Sequence, residues 1–220
     1  KSSGRTPSLD SLASACAHHG TLMVYTSTGA VFKGDRPTPY AESDPTSPSN
    51  VYAASKLAGE AAVRGLLERY FIVRAGWIFG GVGADKKFVG KIAAQIASGK
   101  TELMAVDDKH GTPTYAKDFL GNIRRILKTD SFGVFHGGNA GSATRYEVAL
   151  EILRVMGRKD VRVIPVSSDR FPMPAPRASE ALSNDRMRLL GLEPPRPWQD
   201  ALAEYLRSEV LPSLERSSGR

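Results

Sequence analysis

Cysteine is almost absent: the 220 residues include only Cys16, which excludes an internal disulfide and a cysteine-ligated metal centre. A small apolar side chain on a helix accounts for it, and a reducing compartment suits it. No apolar run approaches the ~18 residues of a membrane span, and no secretory leader pattern stands at the start. A soluble, cytoplasmic protein is the expectation. Internal repeats and low-complexity tracts are missing too. So is the glycine-rich turn of dinucleotide-binding domains. Gly80, Gly81 and Gly83 follow a strand pattern, but their spacing matches neither usual form and they lead into Lys86 and Lys87. Acidic residues are fewer than basic ones, giving a net charge of +7. The basic pairs (Lys86-Lys87, Arg124-Arg125) are scattered among acids without a reading motif, so neither nucleic acid nor a membrane is expected as a partner.

What is present reads as a globular chain with 41% hydrophobic and 24% charged residues, long enough to bury a core. A helix from Leu9 stops at His18-His19-Gly20, and Thr21–Thr26 reads as a buried parallel strand that delivers Ser27 and Thr28 at its carboxyl end. A proline-rich loop runs to Pro48. Asn50 caps a helix whose apolar stripe is read as Ala54, Leu57, Ala58, Ala61, Ala62 and Leu66. Tyr70–Ala75 is a second strand, with Gly76–Gly81 as its exit loop. Helices are expected over 87–98, 119–127 and 145–156, and strands over 101–106, 133–136 and 161–166. His110, between Asp107 and Ala116, is expected on a surface loop. A short helix is expected after Ser183-Asn184-Asp185, stopping at Gly191, and a last one over 198–211.

Tyr52 and Lys56 stand four residues apart at the start of a helix, where positions i and i+4 share a face. A hydroxyl from the end of the preceding strand could meet them. A tyrosine titrates near ~10; a close ammonium favours its phenolate and makes the phenol a workable general acid. Alone the pair is a weak signal, since a partly exposed helix face with a snorkelling lysine has the same spacing. Its context is Val24–Phe32, then Pro39-Tyr40-Ala41-Glu42, then Asn50-Val51-Tyr52-Ala53-Ala54-Ser55-Lys56-Leu57-Ala58-Gly59-Glu60. In this order the segments resemble the extended short-chain dehydrogenase/reductases, most of all the dTDP-4-dehydrorhamnose reductase family, from about Thr21 to Leu211.

The resemblance implies an α/β fold: an incomplete Rossmann-like parallel sheet over residues 1–130 and a small substrate-binding domain over 131–215. It implies an NADPH- or NADH-dependent reductase of a nucleotide-linked 4-keto-6-deoxy sugar. Tyr52 would be the proton donor, Lys56 its pKa modulator and a ribose contact, and Thr28 the holder of the carbonyl oxygen. Cofactor contacts are implied at Ser27, Tyr52, Lys56 and Ala75. Trp77 would pack on the sugar, a role preferred over a core tryptophan because it follows a strand end, and Arg177 would contact phosphate. Gly29 and Ala30 stand where dehydratases of the superfamily carry acids, which argues against dehydration. The family's glycine-rich first third is not in this sequence. That leaves open a fragment of a longer chain or a shortened form, with a homodimer or a protein partner covering an open sheet. A non-catalytic, reductase-like binding or regulatory subunit is the alternative.

Overall fold

The computed structural model describes residues 9–82, 85–171 and 179–218. Helix α1 (Leu9–His18) leads through Gly20, at φ +60°, into β1 (Met23–Thr28). Helix α2 (Val51–Leu66) follows, capped by the Asn50 side chain, which accepts from Ala53 N at 2.9 Å. Then come β2 (Tyr70–Ala75), β3 (Trp77–Phe79), α3 (Phe88–Ala97), β4 (Glu102–Val106), β5 (His110–Gly111), β6 (Pro113–Tyr115) and α4 (Ala116–Ile126). The chain continues with β7 (Gly133–His136), β8 (Ala143–Thr144), α5 (Arg145–Val155), β9 (Arg162–Val166), α6 (Asp185–Leu189), α7 (Trp198–Tyr205) and α8 (Leu211–Ser218).

The central sheet is β1-β2-β7, all parallel, with Ser27 opposite Arg74 and Arg74 opposite His136. Side chains alternate across a strand, and β2 is buried on both faces. Phe71, Val73 and Ala75 pack with Phe119, Ile126, Phe135 and Met187. On the other face Ile72 meets Ala13 and Val63, and Arg74 meets α2. Each large apolar side chain so buried contributes roughly 1.5–3 kcal/mol. The outer edge of β1 carries no partner strand among the described residues.

A second, larger core joins α3, α5 and α7 to the parallel pair β4-β9, around Ile92, Ile96, Leu103, Ile152, Leu202 and Leu206. The two cores cross the expected division at residue 130 in both directions: β7 belongs to the central sheet, whereas 88–106 packs with 145–206. Two short pairings, β3-β6 parallel and β5-β8 antiparallel, stitch the cores together.

Three expectations are corrected. Trp77–Phe79, expected in an exit loop, forms a strand because Gly76 lets the backbone run against Thr112, whose oxygen accepts from Trp77 N at 2.8 Å. The segment around His110, expected as surface loop, contains β5 and β6, with Gly111–Tyr115 buried. The buried face of α2 is Ala53, Gly59, Glu60 and Val63, while Ala54, Ala58, Ala61 and Leu66 are exposed. A buried charge displaced the apolar stripe: Glu60 faces inward to meet Arg74.

Candidate active site

The site begins at the carboxyl ends of β1 and β2. Thr28 ends β1 buried, and its hydroxyl oxygen accepts from Ala30 N at 3.2 Å, capping a single helical turn over Gly29–Val31. An oxygen already accepting from the backbone keeps its own proton to donate. Ser27, one residue earlier, is also buried. Ala75 pairs with Thr28 in the sheet register, and its side chain lies in the core.

Helix α2 brings the other two residues to this end. Tyr52, in its first turn, is 60% exposed. One turn on, Lys56 reaches back to the strand: its Nζ donates to Thr26 O at 2.6 Å and lies 4.2 Å from the centre of the Tyr25 ring. Tyr25 in turn donates to Lys56 O at 3.3 Å. Three residues later Gly59 leaves the space that Tyr25 and Leu9 fill; a Cβ there would come within 2.6 Å of Leu9 Cδ2. Glu60 then anchors the helix to the sheet. It accepts from Arg74 Nε at 2.9 Å and Nη2 at 2.7 Å, with the pair 0% and 1% exposed. Burial opposes the Glu60 charge, but the Arg74 hydrogen bonds and charge more than offset it and hold the carboxyl below its ordinary range.

Thr28, Tyr52 and Trp77 meet in one cleft of about 270 Å³. Its remaining wall includes Phe88, Lys87, Arg145 and Glu180. The Trp77 indole is clamped: Gly111 backs it so closely that any Cβ would collide with the ring, and the Arg145 guanidinium lies 3.6 Å from the ring centre. Arg145 is placed by a capping box at the start of α5. Thr144 Oγ1 accepts from Glu147 N at 3.1 Å, and Glu147 Oε2 accepts from Thr144 N at 2.7 Å. Lys87 stands at the N-cap of α3 without using its side chain as a cap. Burial raises the Glu180 carboxyl above its ordinary range, and the charges of Arg145 and then Lys87 offset only part of that.

The structure thus brings together Thr28, Tyr52 and Trp77, with Lys56 one helical turn from Tyr52 and Ser27 and Ala75 beneath. Arg177 lies outside the described residues. Lys87, Arg145 and Glu180 were missed by sequence reasoning. Each comes from a distant segment with no local pattern, although Thr144-x-x-Glu147 marks where Arg145 begins a helix. Pro39-Tyr40-Ala41-Glu42 turns out to tie the loop down. Tyr40 stacks on Phe32 at 4.5 Å and accepts from Gly34 N at 2.9 Å, and Glu42 accepts from His136 N at 3.1 Å. Among the described residues no cluster of His, Cys, Asp and Glu is placed to hold a metal ion, and no helix is long and apolar enough to cross a membrane.

The chain is similar to named sugar-nucleotide reductases. The chain is 40% identical over 201 residues to a dTDP-4-dehydrorhamnose reductase of Mycobacterium tuberculosis, covering 89% of this chain and 66% of that protein. It is 38% identical to a dTDP-4-keto-6-deoxy-D-glucose reductase of Streptomyces niveus, covering 88% and 67%. The dTDP-4-dehydrorhamnose reductase of Bacillus anthracis, solved in complex with NADP, superposes with a TM-score of 0.83 at 34% identity, covering 91% and 70%. The chain therefore spans about two thirds of the length of the relatives it matches. The family model described as the RmlD substrate binding domain matches residues 6–210, and with these likenesses to named reductases the chain belongs to that family.

Proposed function

We propose that this chain carries the catalytic and sugar-binding part of an NAD(P)H-dependent reductase of a dTDP-linked 4-keto-6-deoxy sugar. The observation that carries it is the meeting of Thr28, Tyr52 and Trp77 in one cleft at the ends of parallel strands, with Lys56 a turn from Tyr52. Thr28 is suited to donate its hydroxyl proton to the substrate carbonyl oxygen, because its lone pair is already turned to Ala30 N. Tyr52, exposed beside it, gives its phenolic proton to the alkoxide that forms. Lys56, held on Thr26 O one helical turn from Tyr52, keeps further N–H donors for a ribose. A bound nicotinamide, NADPH by likeness to the NADP-bound relative and NADH as the other option, supplies the hydride. The donor set of Tyr52, Lys56 and the Ser27-Thr28 strand end fits its nicotinamide-ribose end. Trp77 forms one wall for the sugar, and Arg177 is assigned to phosphate. In this reading the β1-β2-β7 unit is the dinucleotide side, the α3/β4/β9/α5 unit the sugar side, and the protein works in the cytoplasm.

The test is reduction of a dTDP-4-keto-6-deoxy sugar by the full-length protein, followed by loss of NADPH absorbance. Tyr52→Phe is expected to lower kcat by about 10²- to 10⁴-fold, the ordinary worth of a positioned acid, while leaving NADPH affinity unchanged. Full activity in Tyr52→Phe removes the assignment. The second reading is a non-catalytic, reductase-like binding or regulatory subunit of a larger assembly. Tight NADPH or sugar-nucleotide binding with no turnover by the full-length protein would turn the choice to it.

A further inference from the structure

Resting on the reductase reading, the geometry points to Glu180 as the residue that selects the sugar: its carboxylate accepts a hydrogen bond from the ring hydroxyl next to the substrate carbonyl. Glu180 shares the cleft with Thr28, Tyr52 and Trp77. It is held there by backbone on several sides. Its N–H donates to His110 O at 2.7 Å, and its own carbonyl oxygen abuts Gly29, next to Thr28. On one side Ser179 N donates to Gly34 O at 3.1 Å and Ser179 Oγ accepts from His110 N at 3.2 Å. On the other, Leu182 N donates to Thr112 Oγ1 at 2.9 Å. These bonds fix the backbone position of Glu180 beside the cleft.

Its ionisation is pulled two ways, and burial, the larger effect, raises the carboxyl above its ordinary range. Arg145, resting on the Trp77 ring, and Lys87 flank the cleft and favour the ionised form. Protonated or ionised, the carboxyl keeps an oxygen that accepts, and a hydroxyl donor on a ligand is complementary to it. The neighbouring Thr28 and Tyr52 present hydroxyl protons and are suited to a carbonyl oxygen. The cleft therefore offers donors for a carbonyl and, beside them, an acceptor for a hydroxyl, the pattern of an α-hydroxy ketone. A ligand lacking the hydroxyl leaves that acceptor unmatched in a partly desolvated site, which lowers its affinity.

The experiment measures calorimetric affinity of the full-length protein for dTDP-rhamnose and for its 3-deoxy analogue, in wild type, Glu180→Ala and Glu180→Gln, with the NADPH reduction assay run on the same wild-type sample. Wild type is expected to prefer the hydroxylated ligand by about 10- to 100-fold. That ratio should collapse towards one in Glu180→Ala and fall to an intermediate value in Glu180→Gln, which keeps the shape and one acceptor oxygen. A wild-type ratio near one, with reduction intact, overturns the assignment and leaves the reductase reading standing. An equal loss of both ligands in both variants would mean that Glu180 only supports the fold, and also overturns it. Absence of both reduction and binding in wild type removes the reductase reading and this inference together.

Discussion

At the scale of single residues, the buried Glu60–Arg74 pair decides more than any surface charge. Removing one partner of a buried pair leaves the other charged and without compensation, at about 3–5 kcal/mol. Glu60→Gln is expected to destabilise the protein by about that much in denaturant unfolding. Glu60→Gln with Arg74→Met should recover part of the loss, because the orphaned guanidinium is gone; a double variant as unstable as the sum of the singles would show that the pair is not coupled. Arg74 was visible in the sequence as a charge among Phe71, Ile72, Val73 and Ala75, which demands a buried partner. Its partner was visible only as the last residue of the Lys-x-x-Gly-Glu pattern. Thr28, Tyr52 and Trp77 were reached through the resemblance, and each stands at or after a strand end or at the start of a helix, where local pattern sets its position. Glu180, Lys87 and Arg145 could not, because tertiary pairing alone brings them to the cleft.

Among elements, α2 shows two glycines with opposite demands. Alanine ordinarily gains about 1 kcal/mol over glycine within a helix. Gly65 has open space where a Cβ would stand, so Gly65→Ala should raise stability by roughly that amount. Gly59 faces Tyr25, held by its bond to Lys56 O, and Leu9 of α1; overpacking there costs about 1–3 kcal/mol and outweighs the helical gain. Thermal unfolding of the two variants should therefore move in opposite directions. Equal shifts would mean that α1 and Tyr25 yield freely. Helix ends were legible, since Asn50 and Gly20 act locally. The inward face of α2 was not, because reading apolar residues as the buried side fails where a carboxylate is the buried group. The three-residue strand β3 is too short for any periodicity to declare it.

For the whole molecule, acid stability is set in part by His136. Burial, reinforced by the Arg74 charge, pushes it down to about 4, while Nδ1 donates to Ser183 O at 2.7 Å. Its folded pKa lies below the unfolded value of about 6.5. Between these values the unfolded chain takes up a proton that the folded one refuses, so stability is full above about 6.5 and falls as pH drops towards 4. The loss is on the order of 3 kcal/mol. His136→Asn, which keeps a donor for Ser183, should flatten that part of the pH–stability curve; an unchanged slope would assign it to other groups. His136 is tied through Ser183 to the segment that follows residue 178. Residues 179–183 bond to Gly34, Tyr40, His110 and Thr112, and the contact between Ser183 and Tyr40 closes a loop of 143 residues. Long loops close late in folding. On a ribosome the strands and helices around Thr28 and Tyr52 emerge and can pair well before the piece that walls their cleft exists. In the proposed reading, the nascent protein has its reacting hydroxyls before it has the means to choose what they touch, and selectivity is the last property it acquires.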